Sequence, residues 1–78
     1  MTVYIYDAGE YLYLVIVLRH KGNINVFRVL KCDKLVRIDN YGLKNIYCIE
    51  VNPYAEDIRV YVNNAVSKEK MRGIDAWF

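Results

Sequence analysis

Hydrophobic and polar positions alternate with a period of two along most of the chain, and Val, Ile and Tyr fill many of the apolar positions. Side chains of this shape fit a pleated, half-buried surface, so the pattern predicts strands rather than helices. It places six short strands at 2–6, 11–20, 24–32, 34–38, 45–51 and 58–63. Towards the C-terminus the alternation gives way. Residues 65–72 read as a short helix, with Asn64 at its N-cap and Gly73 where a C-cap belongs. The expected fold class is α+β, predominantly antiparallel β, with about six short strands in a small sheet, barrel or sandwich and one short C-terminal helix. No repeat or linker interrupts the pattern, so residues 1–78 read as a single small domain.

Turn residues separate the strands and suggest how they pair. Lys21-Gly22-Asn23 is a tight hairpin signal, while Asp7-Ala8-Gly9-Glu10 and Asp39-Asn40-Tyr41-Gly42 read as longer turns. Pro53 lies between strands, where its missing N–H does no harm. Symmetric pairing across that loop sets Val51 against Ile58, Ile49 against Val60 and Tyr47 against Val62. The reverse side then pairs Glu50 with Arg59 and Cys48 with Tyr61.

The same construction on the first two strands sets Val3 and Ile5 against Leu14 and Leu12, with Tyr4 opposite Tyr13 and Tyr6 opposite Tyr11 on the other side. Val15 and Val17 continue the tyrosine side, and the third strand adds Arg28, Leu30 and Cys32 to it. Leu12, Leu14, Ile16 and Leu18 then share the opposite side with Phe27 and Val29. The second and third strands are therefore apolar on both faces. One small sheet with one helix covers only one of them, and something else is expected to cover the second.

Size adds to that expectation. At 9.2 kDa, the chain buries roughly 63% of its extended surface on folding. That burial is worth on the order of 120 kcal/mol. Ordering the chain at about 1.5 kcal/mol per residue costs nearly the same. An oligomer, a crosslink or a partner would tip the balance. Disorder is excluded by the 55% hydrophobic content. The net charge of +2 permits a nucleic-acid partner without arguing for one.

No basic start followed by an apolar run opens the sequence, and the longest apolar run, 11–18, is far shorter than the roughly 20 residues of a membrane-spanning helix. The expectation is an intracellular, cytoplasmic protein with no membrane contact. Cys32 and Cys48 form no CxxC and have no histidine beside them, so a metal site is not expected. In a reducing compartment they read as two free, buried thiols, with a disulfide as the alternative.

Little in the chain points to catalysis. His20, the only histidine, sits at the rim of a tight turn, and Ser67 lies in the lysine-rich helix, so no Ser–His–acid constellation suggests itself. Most of the acids fall in turns, and no glycine-rich loop opens a helix after a strand. The expectation is no enzyme, no cofactor and no metal.

Binding remains. Tyr4, Tyr6, Tyr11 and Tyr13, flanked by Arg19, Arg28 and Lys31, are the candidate binding residues. Tyrosine and arginine are enriched where protein interfaces concentrate their energy, and the same pair can stack bases and hold phosphates. The intervening Val15, Val17 and Leu30 favour a dry protein interface over nucleic acid. Tyrosine pairs also favour sheet formation by themselves. The basic run Lys68, Lys70 and Arg72 reads as a solvated helix face, and Ile74, Trp77 and Phe78 read as folding back on the sheet.

No stretch carries a family motif. The glycine–aromatic core of RNA-recognition sheets is missing, and no Sm-like or SH3 signature stands out. The scarcity of Ser, Thr and Gln beside abundant Tyr, Ile and Val resembles orphan proteins of thermophiles and their viruses. The expected function is a non-catalytic, homodimeric accessory or regulatory module that acts through protein contacts at the tyrosine-bearing face, of viral or mobile-element origin on that resemblance. A small β-rich nucleic-acid-binding protein is the alternative.

Overall fold

The computed structural model describes residues 1–34, 37–39, 42–44 and 47–75. Strands β1 (Thr2–Asp7), β2 (Tyr11–His20), β3 (Asn23–Asp33) and β6 (Cys48–Val51) form one antiparallel sheet in the order β1-β2-β3-β6. Two further strands, β4 (Arg37–Asp39) and β5 (Gly42–Lys44), pair with each other apart from it. A single 3-10 turn (Glu56–Ile58) leads into α1 (Arg59–Asp75). The architecture is α+β and mostly β, as expected, but the main sheet has four strands rather than six. The expected strands at 34–38 and 45–51 fall partly outside the described residues, as do Trp77, Phe78 and part of the turn at 39–42.

The largest correction concerns 58–63. This segment alternates like a strand, yet it opens α1, which begins earlier than the expected helix and runs past Gly73. Two local features favour the helix. Asn52 Oδ1 accepts from the Tyr54 N–H at 2.9 Å, and the Ala55 N–H donates to the Asn52 carbonyl at 3.1 Å, so the chain turns tightly around Pro53. Glu56 and Asp57 then place negative charge at the start of the helical segment and Arg72 places positive charge in its last turn, both favourable to the helix dipole. Ile58 and Ala65 are fully buried, with Tyr61 and Val62 packed beside them, so the segment also carries an apolar stripe at helical spacing. The pairing of Val51, Ile49 and Tyr47 with a sixth strand therefore does not form. Instead β6 joins β3, pairing Val29 with Val51 and Cys32 with Cys48.

The β1–β2 and β2–β3 hairpins are set by their turns. Gly9, with φ 87°, opens a two-residue turn closed by the Ala8 N–H donating to the Tyr11 carbonyl at 2.9 Å. This is tighter than the expected turn and shifts the register by two, so Tyr6 faces Tyr13 and Tyr4 faces Val15. A shift of two leaves every side chain on its expected face. Lys21 and Gly22 both have positive φ, the requirement of a type I′ turn, and join β2 to β3 as expected.

In β3 the ladder slips: Ile16 faces Arg28 but Val17 faces Val26, leaving Phe27 as a bulge. The single extra residue reverses the faces expected for the rest of β3. Val29 joins Val15, while Arg28 and Leu30 join Ile16 and Leu14. The core is Tyr13, Val15, Val17, Val29, Ile58 and Ala65, between the sheet and α1.

The cysteines form a disulfide rather than two free thiols. They are direct cross-strand neighbours on β3 and β6, and the bond ties the short edge strand β6 to the sheet.

Candidate functional site

The helix lies on the tyrosine face. Tyr4 Oη donates to Glu69 Oε2 at 2.7 Å and Tyr6 Oη to Asn64 Oδ1 at 2.8 Å. Tyr61 packs its ring 5.3 Å from both Tyr6 and Tyr13, stacked on the latter. Tyr13 itself is buried. Lys68 stands 6.0 Å from the Tyr6 ring, on the helix side.

Glu69 is the one buried charged residue among those described. Besides the Tyr4 hydroxyl, it meets Arg19 Nη2 at 3.2 Å and Arg72 Nη1 at 3.7 Å. Arg19 also donates to the Glu69 carbonyl oxygen, and Arg72 donates to Thr2 Oγ1 at 2.9 Å. The Tyr4 hydrogen bond, with the two guanidinium charges, holds the Glu69 carboxyl below its ordinary range against the opposing effect of burial. Burial pushes the Tyr4 and Tyr6 hydroxyls up, and Glu69 adds to the effect on Tyr4. The cluster fastens α1 across β1 and β2. Sequence reasoning missed it, although Glu69 falls four residues after Ala65, in line with the buried stripe of the helix.

Of the seven expected binding residues, six share this face and one does not. Tyr4, Tyr6, Tyr13 and Arg19 contact α1. Tyr11 and Lys31 lie at the sheet's end, with the Lys31 ammonium 4.0 Å from the Tyr11 ring centroid. Arg28 is on the opposite face because of the bulge, and it pairs with Glu50 at 3.3 Å. Glu50 was expected to meet Arg59. The face anticipated as open is therefore the one that α1 closes.

The register maps the other face in rows across the strands. Asp7, Leu12, Cys32 and Cys48 form one row; Ile5, Leu14, Leu30 and Glu50 the next; Val3, Ile16 and Arg28 a third, with Leu18 beyond. None of the described elements packs over its centre. Val3 and Ile5 are 46% and 65% exposed, and Leu12, Leu14, Ile16, Leu18 and Leu30 are partly exposed, which leaves one continuous apolar surface. Phe27 is also exposed, with the Arg28 guanidinium 5.5 Å from its ring centroid.

Two clefts are formed by described residues. One, of about 470 Å³, is lined by Gly9, Glu10, Tyr11, Asp33 and Lys34. Beside it Lys34 Nζ meets Asp7 Oδ2 at 2.5 Å, and this contact holds the Asp7 carboxyl below its ordinary range with help from the Gly9 N–H. The second, of about 250 Å³, lies between Pro53, Tyr54 and the first turns of α1. Among the described residues, no group of three or more His, Cys, Asp or Glu side chains converges as a metal site would require. None of the described helices is long and apolar enough to cross a membrane. No protein-family model, curated protein or solved structure matches this chain.

Proposed function

We propose that the protein is a non-catalytic accessory module that acts through protein–protein contacts at the open face of its sheet. The observation that carries this reading is the unbroken apolar surface of Val3, Ile5, Leu12, Leu14, Ile16, Leu18 and Leu30, on the side of the sheet away from α1. A soluble domain gains nothing by leaving such a surface to water, and contiguous patches of this kind mark interaction sites. The patch carries no basic stripe, so it suits a dry protein contact better than a nucleic-acid backbone. The tyrosine rings that would have stacked bases are engaged elsewhere: Tyr6 and Tyr13 both meet Tyr61.

The disulfide bears on where such a module works. Cross-strand disulfides persist in oxidising compartments and inside the cells of hyperthermophiles. The second setting accommodates both the bond and the thermophile-like composition.

A photo-crosslinking amino acid placed at Ile5, on the open face, tests the reading against the same probe at Val60, which is 76% exposed on α1. Efficient crosslinking to a polypeptide from Ile5 and not from Val60 is the expected result. Equal capture from both positions, or none from Ile5, would overturn it.

A further inference from the structure

We infer that the occupant of the open face is a second copy of this chain, seated sheet against sheet in a two-fold, four-layer α/β/β/α dimer. The inference rests on the reading of that face as the binding surface and names its partner. Three observations carry it.

The first is thickness. The molecule measures 19 Å along its shortest axis. Stacked layers sit about 10 Å apart, so this depth matches one sheet and one helix, the two layers that the described residues form.

The second is area. The chain exposes 6298 Å², roughly 1,400 Å² more than the about 4,900 Å² expected for a folded monomer of its mass. A stable interface takes about 800 Å² from each partner. The surplus is summed over the whole chain rather than located on the open face, and as a total it exceeds what such an interface needs.

The third is charge, and it selects the partner. The ionic groups at the rim of the patch are already matched within the chain: Arg28 with Glu50 at 3.3 Å, and Asp7 with Lys34 at 2.5 Å. The patch therefore asks its occupant for apolar contact and for no net charge. An identical patch meets that demand, and a two-fold axis brings the surface onto itself. Twisted antiparallel sheets pack face to face with their strands about 30° apart. The central row of Ile5, Leu14 and Leu30 would then interdigitate with its symmetry mate.

The test is absolute mass by light scattering on a sizing column, over a wide concentration range. The unaltered protein is expected at twice 9.2 kDa. Leu14→Lys and Leu30→Lys, which alter only the open face, are each expected to weaken self-association about a hundredfold. Their circular dichroism should stay unchanged. Tyr4→Phe, on the covered face, is expected to remain dimeric. A mass of 9.2 kDa at every concentration overturns the inference. So does a dimer that survives both lysine substitutions, because the contact would then lie at an edge strand.

The crosslinked adduct from Ile5 in the otherwise unaltered chain gives a readout that does not depend on how the lysine variants fold. An adduct of two copies supports the dimer. An adduct with a different polypeptide sinks the second copy and leaves the binding reading standing, whereas no adduct sinks both.

Discussion

The two faces of the sheet are built from alternate residues of the same strands, and they meet opposite fates. On one, Tyr4, Tyr6, Tyr13, Val15, Val17 and Val29 lie under α1 and form most of the core. On the other, Val3, Ile5, Leu14, Ile16 and Leu30 are equally apolar and only partly hidden. Hydrophobicity does not separate them. The difference lies in what each offers the helix. The covered face pairs aliphatic residues with tyrosine hydroxyls and Arg19, which satisfy Asn64 and the buried Glu69. The open face has no such groups at its centre. A buried carboxylate on α1 would lie there without a partner, and burying an unpaired charge is costly. Polar complementarity therefore orients the helix, and burial of apolar area holds it there.

This contrast can be broken at several points. The largest effect is expected where α1 meets the core. Ile58→Ala should lower unfolding stability by about 2–5 kcal/mol in urea titrations. Leu14→Ala, on the open face, should cost far less. Equal losses at the two positions would erase the distinction between the faces.

Next comes the crosslink. Cys32 and Cys48 close a loop of sequence separation 16, so replacing both with Ser should remove up to about 3 kcal/mol. Hydrogen exchange should then rise first in β6, the strand that the bond ties to the sheet. Rapid alkylation of both cysteines without prior reduction would show that the bond is absent.

Glu69→Gln should cost on the order of 2 kcal/mol, less than a wholly buried pair, because Arg19 keeps a third of its surface in water. The same residue predicts the pH dependence. Its folded carboxyl is held low, so its contribution is complete above the unfolded value of 4.5 and fades as the pH falls through the lower folded value. Tyr4 and Tyr6 act at the other end. Their hydroxyls are pushed up on folding, so stability should fall as the pH rises past 10.0, where the unfolded chain ionises first. Tyr4→Phe should flatten part of the alkaline limb, and Glu69→Gln part of the acid limb.

The smallest effect is expected for the ion pair on the open face. Arg28 and Glu50 are 46% and 62% exposed, and Arg28→Ala should change monomer stability by less than about 0.5 kcal/mol. A larger loss would mean that this face is organised by charge after all.

Much of this arrangement could be read along the chain, and the points of failure are informative. Strands β1 to β3, the tight turn at Lys21-Gly22 and the presence of two apolar faces follow from period-two alternation and from a glycine placed where positive φ is needed, while the turn at Gly9 is tighter than its sequence suggests. Local sequence sufficed because hairpin neighbours are close in the chain. The sides of β3 were lost at one residue, whereas the tyrosine face reads as open because its tyrosines and Arg19 suit a partner, and α1 proves to be that partner. Phe27 adds a bulge to β3, and in a structure of period two a single insertion reverses every side chain beyond it.

The segment 58–63 was lost for a different reason. Ile58, Val60 and Val62 alternate as in a strand, while Ile58, Tyr61, Val62 and Ala65 recur as in a helix. Val60 decides between them, because it is 76% exposed where a strand would have turned it to the core.

The sequence by itself determined a small β-rich domain whose central strands are apolar on both sides, because alternation and turn chemistry act between near neighbours. Only the tertiary structure decided which side α1 covers, that Cys32 meets Cys48, and that no described element covers the Leu- and Ile-lined face. Those outcomes depend on contacts between residues far apart in the chain, of which the bond between Tyr4 and Glu69 is the clearest case. No local pattern encodes such a contact, since each partner reads as ordinary until the other is placed beside it.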